Sequence, residues 1–385
     1  MDLTQLRKDI DEIDRQLVEL YEQRMDICTR VAEYKIENHK PVFDKLRETE
    51  KLQKVCGLAR KEENRKGVEE LFTQLMSLSR KLQYGILLEH EKNDMFSFTI
   101  CKELVDEHTK VIFQGAEGAY SQAAMHQYFG DRIDSFHVDT FRDAMIAIDE
   151  GSADYAVLPI ENSTAGIVSE IYDLLVEYEN YIVGEQIIKI DHRLIFRTGT
   201  PLSAIGRVYS HRQALNQCAA YLSKEMPFAS LRETESTSLG IDRAAEDASG
   251  KSAAIAGAHI AYLPEGFSRS EECISDEKYN QTQFLLLKKG AEKLPEKSDK
   301  FFFSAVCPHR PGSLLSLLQV IYAHGVNMTK IESRPVKDRP GEYRFFIEAE
   351  GDIFSPKIKG ALSEIEKGVQ EYKLLGAYEK SPAAD

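Results

Sequence analysis

The sequence predicts a multidomain protein: an all-α helical domain at the N-terminus, a central α/β domain and a C-terminal α+β domain of ferredoxin-like βαββαβ order. Three observations predict it. The chain has 385 residues, whereas a single core usually stops growing at ~100 to 200 residues. Glycine is nearly absent before residue 88, while residues 111–288 repeat short apolar stretches that each run into a small or polar turn. Beyond residue 299 strand and helix patterns follow one another in a third order.

Residues 1–90 read as helix, and their only proline is Pro41, after "ENHK". Leu3, Leu6, Ile10, Ile13, Leu17, Leu20, Ile27, Val31 and Tyr34 recur at alternating spacings of three and four, a heptad stripe. Arg24 stands where an apolar residue is due. A helix of this length is ~50 Å long at 1.5 Å per residue, too long for a small domain to cover alone, so a partner chain is expected. A second helix follows Asp44, and a third carries Val68, Leu71, Phe72, Leu75, Leu82 and Ile86 on one face.

Polar residues converge on these helices. Asp44, Arg47 and Glu48 lie at i, i+3 and i+4 and project from one face; Ser79 and Gln83 lie at i and i+4 beside the apolar stripe of the third helix. An isolated match would be an ordinary solvated face. Several polar groups beside buried stripes instead suggest a cavity that a ligand completes, because each unpaired buried group costs about 1–3 kcal/mol. Arg24 and Lys35 are eleven residues apart, close to three turns, and can grip a small dianion from both ends. Arg7 is a further ~25 Å along the helix, so it would serve a partner's site.

In the central region, spanning 108–290, "KVIFQGAEGAYSQAA", "DYAVLPIENSTAGIV", "RVYSHRQALNQCAAYL" and "SAAIAGAHIAYL" each read as strand, turn and helix start. Such units predict a largely parallel sheet with ligands at the carboxyl ends of its strands. Charged connectors, "EHEKND" and "KKGAEKLPEKSDK", bound the region. In the last one, 299–380, "FFFSAVC", "GSLLSLLQVIYAHG", "VNMTKIESRPV", "EYRFFIEAEG", "SPKIKGALSEIEKGV" and "EYKLLGAYE" give the ferredoxin-like order.

Composition excludes several classes. The net charge is −14 and no basic face is concentrated, which argues against nucleic acid. No apolar run approaches the ~20 residues of a membrane span. The acidic start "MDLTQLRKDIDEID" lacks the basic and apolar regions of a secretory signal, so a cytoplasmic protein is expected. The six cysteines are scattered, with neither C-x-x-C nor H-E-x-x-H, and "GAEG" lacks the spacing of a nucleotide loop. No metal and no cofactor is implied.

The helical constellation resembles the all-helical class of chorismate mutases over nearly all of residues 1–90. That resemblance implies that Arg24, Arg47 and the partner subunit's Arg7 hold the substrate carboxylates. It implies further that Lys35 and Gln83 hydrogen-bond the ether oxygen, that Asp44 or Glu48 holds the ring hydroxyl, and that Ser79 assists. The chemistry fits the residue types: a Claisen rearrangement needs no nucleophile, only a dianion held in its reactive conformer and donors for the oxygen that gains charge.

"GAEGAYSQAA", "PIENSTAG", "YSHRQALNQC", "TESTS", "AAIAG" and "NQTQF", in this order, resemble prephenate dehydratase, with a two-lobed α/β fold. Thr282 is then the donor to the departing hydroxyl, with Glu161, Asn162, Ser210 and Gln217 lining the pocket; Glu161 is the alternative acid if burial raises its pKa. The family's usual Thr-Arg-Phe reads Thr-Gln-Phe here, with Gln283 in the middle. "PHRPGSLLSLLQVIYAHGVNMTKIESRPV" resembles the ACT regulatory domain. Its phenylalanine motif matches in full at Glu332, Ser333, Arg334 and Pro335, and in part at Gly312, Ser313, Leu314 and Leu315.

The whole chain thus resembles the bifunctional chorismate mutase/prephenate dehydratases with an ACT domain. The resemblance implies an intertwined homodimer or higher oligomer, feedback by L-phenylalanine, and no cofactor. Two other readings stay open: a mutase with an arogenate-preferring or weakened dehydratase, through Gln283, and a non-catalytic small-molecule sensor.

Overall fold

The computed structural model describes residues 2–90, 100–101, 105, 108–260, 263–290, 294–295 and 297–381. Residues 91–94 of the first charged connector and 291–293 and 296 of the second lie outside the described residues. Contacts divide the chain into two units, residues 1–97 with 299–374 and residues 98–298 with 375–385.

The first unit opens with α1 (Leu3–Glu37), capped by the Asp2 carboxylate, which accepts from the Thr4 N–H at 3.0 Å. It ends at Asn38; His39 follows at φ 50° and Pro41 cannot continue a helix. Asp44 starts α2 (Lys45–Gly57) by accepting the Arg47 N–H at 3.0 Å, a cap worth about 1 kcal/mol. α3 (Arg65–His90) packs on both. The nine stripe residues of α1 stay 39–61% exposed. The face stands uncovered in the single chain, with its residues in one apolar stripe.

The face of α3 differs from the expected one. Leu71 is 51% exposed, whereas Met76, Ser77, Ser79, Gln83 and Tyr84 are buried. The reason is that α3 is covered on two sides, by α1 and α2 and by two helices of the C-terminal region described below, so burial spreads past a single stripe.

The second unit is two-lobed. One lobe has β1 (Lys110–Gln114), α4 (Tyr120–Phe129), β2 (Asp134–Val138), α5 (Phe141–Glu150), β3 (Tyr155–Asn162), α6 (Ser169–Glu177) and β4 (Asn180–Lys189). The chain then crosses to the other, through β5 (His192–Arg197), β6 (Arg207–Ser210), α7 (Arg212–Gln217), α8 (Ala219–Glu225), β7 (Ser230–Glu233), α9 (Thr237–Glu246), β8 (Ser252–Gly257) and β9 (Phe267–Arg269). It returns as β10 (Gln281–Lys289).

Both sheets are mixed, which corrects the expectation of a largely parallel one. The first runs β4-β10-β3-β1-β2 and the second β9-β5-β8-β6-β7. In each, the last three strands are parallel, and the second strand, β10 or β5, runs antiparallel to both of its neighbours. The crossing strands β4, β5 and β10 impose this, because a chain that leaves a lobe and comes back must run antiparallel to itself. Val111, Phe113, Met125, Val157 and Leu286 fill one core; Leu194, Val208, Leu215 and Ile255 fill the other.

The C-terminal part of the first unit contains β11 (Lys300–Val306), α10 (Ser313–Ala323), β12 (Asn327–Pro335), β13 (Tyr343–Glu350) and α11 (Pro356–Gly368), followed by β14 (Glu371–Tyr378), within which the unit boundary falls. β13 pairs antiparallel with both β11 and β12. α10 and α11 are the two helices that cover α3.

Candidate active sites

The polar residues of the helical region gather on α1, α2 and α3. Arg24 donates to the Leu75 carbonyl at 3.1 Å and to the Ser79 hydroxyl, which itself donates to Leu75 at 2.7 Å. Lys35 donates to the Val42 carbonyl at 2.6 Å. Burial lowers the Lys35 pKa below the ordinary lysine value, partly countered by the nearby carboxylates of Glu48 and then Asp44. Gln83 is 7% exposed, and its Oε1 has no hydrogen-bond partner among the described residues. A lone chain does not bring everything together, for Arg7 is exposed seventeen residues before Arg24 on the same helix, and Arg47 is exposed as well.

One partner escaped the sequence reading. Arg80, between Ser79 and Gln83 on α3, bonds Glu48 through Nη1 and Glu364 of α11 through Nε at 2.5 Å. Nothing in the pattern of α3 distinguishes it from a surface arginine, because both carboxylates are distant in sequence.

The second site is the cleft between the lobes, a cavity of about 400 Å³ bordered by Gly115, Tyr120, Asn162, His192, Gln217, Ser236 and Thr282. The "GAEG" loop takes φ 106° at Gly115 and 81° at Gly118, a backbone that residues with a side chain rarely adopt. Ser236 caps α9 by accepting the Leu239 N–H at 3.1 Å.

The orientation of Thr282 follows from a chain of fixed donors. Asn162 and Thr282 are register partners on β3 and β10. The Asn162 Oδ1 accepts main-chain N–H groups of Thr164 and Ala165 at 3.0 and 2.8 Å, so its amide nitrogen must face the other way. That nitrogen donates to Asn280 Oδ1 at 2.8 Å and to Thr282 Oγ1 at 2.9 Å. The Thr282 oxygen is therefore an acceptor towards Asn162, which leaves its own proton free to be donated at the border of the cavity.

The same chain extends through Gln217 to two residues the sequence did not reveal, Thr164 and His192. The Thr164 hydroxyl donates to Asn162 Oδ1 at 2.7 Å, Gln217 Nε2 donates to Thr164 at 3.0 Å, and the Gln217 oxygen meets His192 Nε2 at 2.9 Å. With the amide so oriented, Nε2 of His192 carries the ring proton. Burial lowers the His192 pKa, which keeps the ring neutral, against the hydrogen bond to Gln217 and the charge of Asp191.

Two expected pocket residues do not line this cavity. Glu161 pairs in register with Gln283, and side chains alternate along a strand, so both lie on the face opposite Asn162 and Thr282. There Gln283 donates to the buried Glu185 at 2.7 Å. Ser210 is completely buried, and its hydroxyl donates to the Ile255 carbonyl at 2.6 Å. His211, the cap of α7, borders the cavity in its place.

In the C-terminal region Gly312 caps α10 at φ 80°, and Ser313 donates to the Arg310 carbonyl at 2.9 Å. Leu314 is half-buried and Leu315 exposed. Glu332, Ser333, Arg334 and Pro335 end β12, the outer strand beside β13, with burial alternating along it.

Family models match in the same order along the chain: chorismate mutase type II over residues 6–84, prephenate dehydratase over 111–292 and the ACT domain over 303–367. The bifunctional chorismate mutase/prephenate dehydratase of Aquifex aeolicus (strain VF5) is 30% identical over 99% of this chain and 98% of its own. The protein of the same description from Escherichia coli (strain K12) is 29% identical over 98% of this chain and 96% of its own. Among solved structures, the prephenate dehydratase of Arthrobacter aurescens in complex with L-Phe is 29% identical, with a TM-score of 0.65 over 72% of this chain and 92% of that one. Length and order agree, and the chain belongs to the family of bifunctional chorismate mutase/prephenate dehydratases.

Proposed function

We propose that this enzyme rearranges chorismate to prephenate on its helical region and converts prephenate to phenylpyruvate in the two-lobed cleft, under feedback by L-phenylalanine. The observation that carries the reading is the placing of Thr282, which borders the cavity and accepts from Asn162, so that its own proton is left to donate elsewhere. In the second reaction the ring C–OH and C–carboxylate bonds break together. The carboxylate electron pair aromatises the ring as CO2 leaves, and the hydroxyl departs as water with one proton taken up. Thr282 stabilises the departing oxygen as a directed donor. Too weak an acid to stay ionised, it is at most a conduit for that proton. Glu161 takes no part as acid, since it faces away.

For the rearrangement, Arg24 and Arg47 hold the carboxylates together with the partner subunit's Arg7, Lys35 and Gln83 address the ether oxygen, and Asp44 or Glu48 the ring hydroxyl, with Ser79 fixing Arg24. The exposed α1 stripe supports an intertwined dimer that supplies Arg7 across its interface. The C-terminal region, residues 299–380, follows the ferredoxin-like plan, and Gly312 to Leu315 with Glu332 to Pro335 form the phenylalanine site. The helical region occupies 1–90 and the dehydratase 108–290. No described helix is long and apolar enough to cross a membrane, in keeping with a cytoplasmic enzyme.

The test is to assay purified protein separately on chorismate, prephenate and arogenate, each with and without L-phenylalanine. Turnover of the first two is expected, with prephenate turnover reduced by phenylalanine. Arg24→Ala is expected to abolish the first reaction and spare the second. A protein inert towards prephenate overturns the reading.

A further inference from the structure

We propose that Arg80 is a positioning residue for the rearrangement, holding the Glu48 carboxylate in place for substrate from an anchor, Glu364, in the C-terminal region. The inference rests on the reading of the helical region as the chorismate site. Arg80 reaches Glu48 and Glu364 with different nitrogens, and the Arg80 side chain is 13% exposed, that of Glu364 3%. Glu364 is fixed in turn, its second oxygen lying 3.2 Å from His324 Nε2. The guanidinium also lies over the Phe43 ring at 5.4 Å. Supports on α2, on α11 and in the segment just before α2 thus hold Arg80 from three sides.

Glu48 needs such a hold. It ends on rotatable bonds, one turn into α2, and borders a cavity of about 530 Å³ that Arg310 and Lys367 also line. Released from Arg80, its carboxylate would turn towards those cations and away from Lys35. A bidentate guanidinium can hold two carboxylates at a fixed angle; a lysine ammonium, a point charge, cannot fix that angle. Glu364 thereby makes the C-terminal region a structural part of the mutase site, without any contact to substrate.

The test is a double-mutant cycle on the full-length protein with chorismate as the probe, using Arg80→Met, Glu48→Gln and the pair, with prephenate turnover measured on each sample as a folding control. Arg80→Met is expected to lower kcat on chorismate about 10- to 100-fold with a small change in KM, while prephenate turnover persists. In the Glu48→Gln background the same change is expected to cost little more, because the residue through which Arg80 acts is already altered. Full additivity, or wild-type chorismate kinetics in Arg80→Met, overturns the proposal. Should Arg80→Met fail to fold, Arg80→Lys, which keeps a charge for Glu364, takes its place: it is expected to retain prephenate turnover with only part of the mutase kcat, and full mutase activity overturns the proposal. An unmodified protein that leaves chorismate unchanged overturns the underlying reading instead.

Discussion

A single amide decides how the Thr282 hydroxyl is held. Asn162 cannot flip, since its oxygen is held by two main-chain N–H groups, and so Thr282 must accept from it. Asn162→Asp replaces that donor with an acceptor, which draws the Thr282 proton away from the cleft. A loss of about 10²- to 10³-fold in prephenate kcat is expected, in the range for removing one transition-state donor; steady-state kinetics on prephenate check it, and unchanged kcat refutes it. Lys35 gives a second test. Burial lowers its pKa from the lysine value of 10.5, so its charge is lost at lower pH than an ordinary lysine's. The chorismate kcat/KM is expected to fall as pH rises through that lowered value, and Lys35→Arg to flatten the alkaline limb of the profile; a limb that stays in Lys35→Arg assigns it elsewhere. At this scale Asn162, Gln217 and Thr282 were named from the resemblance of "PIENSTAG", "YSHRQALNQC" and "NQTQF" to a known family, and all three border the cleft. His192 and Arg80 were not, because their partners are 25 and 32 or more positions away and no periodicity records that. Ser210 and Glu161 misled for a local reason: one residue of strand register decides between cleft and core.

Among the elements, α1 was read best, for its heptad stripe survives in three dimensions as an uncovered apolar face. Leu17→Asp, near the middle of that face, is expected to shift the protein towards monomer in sedimentation or light scattering. It is also expected to lower chorismate turnover strongly, since Arg7 would no longer reach a neighbour's site, while prephenate turnover continues. An unchanged oligomer with full mutase activity would count against the dimer. The face of α3 was read less well, because a helix covered from two sides loses the simple stripe that marks one-sided burial. The parallel β-α units of the central region were legible as local strand–turn–helix patterns. The antiparallel strands that make each sheet mixed were not, because they arise from the chain's passage between lobes, a property of no single segment.

For the molecule as a whole, three successive patterns in the sequence correspond to three successive family matches, and the expectation of several cores holds. What the sequence could not convey is that the helical and C-terminal regions, separated by some two hundred residues, share one unit through α3, α10, α11 and the Arg80 bridge. Position 283 shows how such distant associations reinterpret a substitution. Its side chain serves the far surface of the sheet, where Glu185 takes the Gln283 amide on one oxygen and the Ser381 N–H at 3.0 Å on the other. The Gln283 amide and the Ser381 N–H thus share one buried carboxylate, and exchanging this glutamine for arginine is expected to alter how firmly Ser381 is fastened.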